Sequence, residues 1–166
     1  MAKLTSPREL LVEELKDLYS AENQLIKALP RMAKAANSDE LKSAFETHLD
    51  QTRVQAGRLE KIMKQLDESP KGKTCKAMKG LIEEGKEVME EDADPAIMDL
   101  ALITAAQKVE HYEIAGYGCA RTLAELSGEK KIAAILQETL DEEGETDKLL
   151  TEVAMGLHME ESLTAD

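Results

Sequence analysis

The sequence contains no tryptophan, one phenylalanine and three tyrosines among its 166 residues. So few aromatic side chains argue against a sandwich or barrel, whose cores draw on aromatic and β-branched residues. A core of Leu, Ile, Ala and Met suits packed helices, and the eight methionines are ordinary filler for irregular gaps. Cysteine is also scarce. Cys75 and Cys119 form no close metal-binding pair and suggest no disulfide framework. With no recognisable secretory signal, a reducing cytoplasm is the expected compartment. Long apolar runs are missing as well. The longest, AIMDLALITAA, is broken by Asp99, so no membrane-spanning segment is expected. Basic charge is in deficit: 21 Lys and Arg stand against 34 Asp and Glu, for a net charge of −13. Such a surface repels nucleic-acid phosphates and anionic lipid, so neither is an expected partner. It is compatible with cation binding, although charge alone is explained more simply by solubility.

What is present is helical periodicity. The length fits one domain, residues 1–166, with a core region of about 7–157. In the opening TSPRELLVEELKDLYSAENQL, Ser6 is an N-cap, Pro7 sits at the first turn and Glu9 follows three residues after the cap. A first helix is expected over 7–36, with Pro30 bending its last turns. Ser38 starts a second, whose stripe at 41, 45, 48, 52, 55, 59, 62 and 66 alternates steps of four and three. Pro70 and Gly72 are expected to stop it. Residues 74–91 form a shorter amphipathic helix, weakened by Gly80 and Gly85, that is expected to serve as a crossover or dimer-facing element, with a surface lid as the alternative. The third long helix starts at DADP, with Asp94 as cap and Pro95 in the first turn, and runs to about Leu126. The fourth covers about 129–157, its inner face passing through Ile132, Ile135, Thr139, Glu142 or Glu143, Thr146, Leu150 and Val153, and the final MEESLTAD is expected to fray. Two helix pairs joined by an excursion match an all-α, ferritin-like, up-and-down four-helix bundle with a long crossover.

The core stripes change chemistry halfway along each long helix. Glu22 continues the face of Leu18 and Leu25. His48, Gln51, Thr52 and Gln55 occupy the middle of the second helix. Gln107, Glu110 and His111 do so in the third, where Glu113, one turn from Glu110, either joins them or faces the adjacent helix or solvent, and Thr139, Glu142, Glu143 and Thr146 in the fourth. At about 1.5 Å rise per residue, the midpoints of an up-and-down bundle fall at one height. Carboxylates in such a dry layer must gain partners, take up protons or bind cations. Carboxylate oxygen and imidazole nitrogen suit iron, manganese or zinc. His111 is a candidate ligand, a hydrogen-bonding neighbour or a satisfied core histidine, and His48 can ligate or bond to an amide. Glu142 and Glu143 point about 100° apart. Thr139 nearby favours Glu142, and a rotated helix would present Glu143 instead. Gln51 and Gln55 are expected to orient ligands. Tyr19, one turn before Glu22, is placed to pack or to bond to a carboxylate, whereas Tyr112 and Tyr117 carry no separate signal.

The runs ELKDLYSAENQL, THLDQTRVQAGRLE, AAQKVEHYEIAGYG and LDEEGETDKLL resemble the YciE/YciF family of bacterial ferritin-like, stress-associated proteins, over about residues 8–157. The resemblance implies a fold similar to rubrerythrins and ferritins, a homodimer and a metal centre that includes Glu22, Glu110, His111 and the Glu142–Glu143 pair. The better characterised di-iron members of that fold use a Glu from each of two helices and Glu-x-x-His from each of the others. Here the second helix has His48-x-x-Gln51, and the fourth has no histidine in its middle. The expected metal set is therefore Glu22, His48, Gln51, Glu110, His111, Glu142 and Glu143, holding iron as one or two ions, with manganese or zinc as alternatives. Oxidation of Fe(II) by oxygen or peroxide is the expected chemistry if the centre turns over. A non-enzymatic acidic helical dimer, its polar layer fixing helix register, is the alternative.

Overall fold

A computed structural model of the chain describes residues 4–164. Five helices follow one another: α1 (Pro7–Ala35), α2 (Asp39–Gln65), α3 (Lys76–Glu90), α4 (Pro95–Leu126) and α5 (Lys130–Thr164). Ser6 caps α1 by accepting from the Glu9 amide, and Ser38 caps α2 by accepting from the Leu41 amide. Glu9 reaches past the cap to Thr5, with its Oε2 2.6 Å from the Thr5 nitrogen. Asp94 precedes α4, but its side chain makes no capping bond. Helix α1 continues through Pro30 to Ala35, because that proline is exposed and sits within the last two turns.

Two helix ends are set by left-handed residues. Gly128 (φ 79°) follows α4, and the amides of Gly128 and Glu129 bond back to the carbonyls of Glu125 and Ala124, a Schellman closure. Asp67 (φ 59°) does the same after α2, where the Asp67 and Glu68 amides reach Lys64 and Met63. The second helix thus ends ahead of Pro70 and Gly72, which were expected to stop it. At the other end of the chain α5 runs on to Thr164, past the expected end near 157. The backbone of MEESLTAD is helical through Thr164, and residues 165–166 lie outside the described residues.

Helices α1 and α2 pack together, as do α4 and α5. The contacts α1–α4 and α2–α5 close the ring of four, while α3 lies outside it against α1 and α4. The turn between α1 and α2 is fastened from across the bundle. Asp99 on α4 is buried and accepts from the Asn37 and Ser38 amides at 2.8 and 2.7 Å. The residue that interrupts the longest apolar run is therefore a satisfied tie between the two helix pairs.

The interior has two apolar halves. One gathers Leu25, Leu29, Phe45, Leu102, Leu150 and Val153. The other gathers Leu11, Leu18, Leu59, Ile62, Tyr117 and Leu136. Every long helix passes from one half to the other through a buried polar segment: Glu22 on α1, His48, Thr52 and Gln55 on α2, Glu110 and Glu113 on α4, Thr139, Glu143 and Thr146 on α5.

Candidate metal centre

The polar belt draws on all four long helices because each carries a heptad stripe. On α1 it runs 15, 18, 22, 25; on α2 45, 48, 52, 55; on α4 106, 110, 113, 117; on α5 136, 139, 143, 146. Every one of these residues is buried. Alternating steps of four and three keep a residue on the seam between helices.

His48, Glu110, Glu113 and Glu143 each present one nitrogen or oxygen, and these atoms all lie within 4.8 Å of one another. Glu22 is fully buried beside them. Its Oε1 accepts the hydroxyl proton of Tyr117, itself fully buried, which leaves Oε2 without a partner. His48 Nε2 lies 3.1 Å from Glu110 Oε1, yet the two are not aligned as a hydrogen bond, and both imidazole nitrogens lack a directed partner. Glu113 and Glu143 have no partner at either oxygen, nor has Glu110 at Oε2.

Unpartnered buried carboxylates of this kind are expensive, and their proton affinities record it. Burial above all lifts the Glu22 carboxyl to about 8; the Glu110 charge adds to this, while Tyr117 and His48 oppose it. Burial likewise raises Glu113 well above the carboxylate range, reinforced by Glu22 and Glu143. Glu143 rises for the same reason, with Glu110 and Glu22 adding. Burial alone would lower His48. The Glu110 and Glu22 carboxylates outweigh it, so the imidazole ends above its ordinary value, with Gln51 contributing in the same direction. The donor set fits a divalent cation of hard or borderline character: carboxylate oxygens and one imidazole, dry surroundings, and ligand atoms within 4.8 Å of one another.

The remaining expected ligands are elsewhere. Glu142 is one residue from the belt and turned outward, held by Arg58 at 2.6 and 2.8 Å and by Gln55 at 3.1 Å. Burial would raise its pKa, but the Arg58 and Gln55 bonds prevail and lower it. His111 is on the surface, its side chain 68 % exposed, with Nε2 3.3 Å from Asp147. Gln107 bonds to Asp147 and Thr151 on that same outer face. A helix turns about 100° per residue, so with Glu110 facing inward His111 cannot. Gln51 is half-buried beside His48, and Tyr19 bonds to Glu60 on the outside, not to Glu22. Tyr117 was missed, although its place seven residues after Glu110 and four after Glu113 was a usable signal.

Comparison with known proteins agrees with this architecture. Residues 6–163 match the family described as a domain of unknown function, DUF892. The chain is 45% identical over 148 residues to the protein YciF of Escherichia coli (strain K12), covering 89% of each. It superposes on the crystal structure of that stress protein with a TM-score of 0.90 at 43% identity, covering 93% of this chain and 98% of the other. A solved structure from Rhodopseudomonas palustris matches with a TM-score of 0.86 at 38% identity, covering 90% and 95%. A ferritin-like, diiron-carboxylate protein from Bacillus anthracis str. Ames shares the fold, with a TM-score of 0.71 at 16% identity, covering 91% and 99%. The fold is thus all-α and ferritin-like, and among the described residues no helix is long and apolar enough to cross a membrane. On sequence and structure together, the chain belongs to the DUF892 family that includes YciF.

Proposed function

We propose that this protein binds iron or manganese in the belt between its two apolar halves, through Glu22, His48, Glu110, Glu113 and Glu143. The observation that carries the reading is the convergence of buried Glu110 and Glu113 from α4 and Glu143 from α5, with unpartnered oxygens, on the His48 imidazole of α2. Four carboxylates, Glu22, Glu110, Glu113 and Glu143, balance about two divalent cations, which is the occupancy the fold family favours. Bound iron would supply the electron chemistry, with oxygen or peroxide as oxidant. The chain's own residues do the rest. Tyr117 holds Glu22 so that one oxygen faces inward. Arg58 and Gln55 keep Glu142 out of the belt, and the apolar halves above and below exclude water. Glu22, Glu113 and Glu143, which burial keeps protonated, would release those protons on holding a cation.

The likeness to the Escherichia coli stress protein supports a stress-associated role, and the scarcity of cysteine supports a reducing, cytoplasmic compartment. The homodimer is carried over from the family resemblance. The net charge of −13 speaks against nucleic acid and anionic membrane as partners. A second reading has an observation of its own: Tyr117 already donates to Glu22 and His48 lies within ion-pair distance of Glu110, and protons on the remaining acids would complete a structural layer. Isothermal titration of chelator-treated protein with Mn(II) or with Fe(II) under anaerobic conditions separates the two. Tight uptake of about one or two ions per chain, lost in Glu110→Gln with Glu143→Gln and kept in His111→Ala, is expected. A folded protein with no tight uptake favours the proton-filled structural layer. Admitting air or peroxide to the Fe(II) form then tests oxidation by the growth of ferric absorbance.

A further inference from the structure

Outside the four-helix ring, between α1, α3 and α4, lies a groove of about 180 Å³. Leu25 and Met32 from α1, Ile82 and Met89 from α3 and Val109 from α4 give it apolar walls. An apolar cavity of about 150 Å³ holds benzene, so this volume suits a body of about six to eight carbon atoms. Gly85 of α3 lies in the lining and is buried, and a Cβ built on it meets nothing within 4 Å. Glycine inside a helix costs about 1 kcal/mol relative to alanine. At this position it leaves the groove open where any side chain would project into it.

The mouth has the opposite charge to the molecule. Lys27, Arg31 and Lys86 line it, and no carboxylate does, in a chain where acids outnumber bases 34 to 21. All three are exposed, and none makes an ion pair among the described residues. Leu25, Met32 and Val109 also bound a smaller space of about 20 Å³ that reaches His48 and Glu110. The groove and the belt therefore share walls.

We propose that this groove binds an amphipathic monoanion, a carboxylate on an aliphatic or aryl tail of about six to eight carbons. The head lies against Lys27, Arg31 and Lys86, and the tail lies along Leu25, Met32 and Val109. Charge complementarity selects against cationic amphiphiles, and the apolar depth selects against short acids. A second copy of the chain could offer carboxylates to the same cations, but the depth behind them calls for a slender apolar tail. The binding does not depend on the metal reading.

Calorimetric titration of metal-free, full-length protein with octanoate, octylammonium and acetate tests it. Octanoate should bind saturably at a single site per chain, and the other two about tenfold more weakly or not at all. Lys27→Glu with Arg31→Glu should weaken octanoate about tenfold or more. Gly85→Leu, which fills the groove and improves helix propensity, should abolish binding while leaving thermal unfolding cooperative and Mn(II) uptake unchanged. Equal binding of octylammonium, absence of saturable octanoate binding, or undiminished binding by Gly85→Leu would overturn the proposal. So would a charge reversal that altered sedimentation but not octanoate binding, since that would make the face a contact between copies. Failure of Mn(II) uptake with octanoate binding intact would count against the metal reading alone.

Discussion

Glu142 and Glu143 are neighbours in sequence with opposite surroundings. Glu143 is fully buried with both oxygens unpartnered, whereas Glu142 is half-exposed and clamped by Arg58. Glu143→Gln should abolish or greatly weaken Mn(II) uptake measured by calorimetry. Glu142→Gln should leave uptake intact and lower stability by about 1 kcal/mol, since the Arg58 pair is bidentate and partly shielded from solvent. Equal effects of the two substitutions on uptake would show the belt to be wrongly drawn. Protonation is the second residue-scale consequence. The folded protein holds the Glu22 proton up to about 8, against an ordinary value of 4.5, and Glu113 and Glu143 shift the same way. A raised pKa means the folded form binds the proton more tightly. The stabilisation is therefore complete below about pH 4.5 and lost as pH rises through about 8. Each unit of such a shift corresponds to about 1.4 kcal/mol, a large share of ordinary domain stability. Urea midpoints of metal-free protein should fall between about pH 5 and about pH 9, and saturating Mn(II) should flatten the decline. A flat profile without metal would contradict the burial of these acids.

At the scale of elements, the heptad stripe explains how much of the centre was legible. On α1 the alternation of four and three is plain in the sequence, since Leu18 and Leu25 flank Glu22, whereas on α2 His48 stands between Phe45 and Thr52 and its stripe left ligation and an amide bond both open. On α4 the inner face is largely Ala, Glu and Tyr, so hydrophobicity marks it poorly. The conspicuous His111 drew attention to a face that turns out to be solvent-exposed. On α5 the reading took Ile135 for an inner residue; the inner position is Leu136. Starting from Leu136, steps of three and four lead through Thr139 to Glu143, so Thr139 points to Glu143 and not to Glu142. Helix termini divide in the same way. The serine caps were readable because side-chain oxygen and amide are local, whereas the end of α2 depends on Asp67 adopting a left-handed backbone that nothing in its side chain demands. Glycine meets that conformation with less strain. Asp67→Gly should therefore raise stability by about 0.5–1 kcal/mol, read as a higher urea midpoint with unchanged slope. A loss of stability would mean the Asp67 side chain stabilises the turn in some other way.

At the scale of the whole molecule, the ring of four helices divides its apolar interior to make room for charge. Between the two halves the chain places residues that a simple bundle would fill with leucine, and replacing buried ions by well-packed apolar residues is often neutral or stabilising. A belt of acids therefore marks a site by its energetic disadvantage. A cation that binds only the folded form adds about 2.7 kcal/mol when present at a hundredfold excess over its Kd. Thermal unfolding should thus move upward with Mn(II) concentration in the wild type and remain fixed in Glu110→Gln with Glu143→Gln. The central claim is tested most directly by anomalous diffraction from crystals grown with Mn(II). The account predicts peaks inside the bundle within bonding distance of His48, Glu110, Glu113 and Glu143. Manganese bound only at the acidic surface, with those four side chains bare, would contradict it.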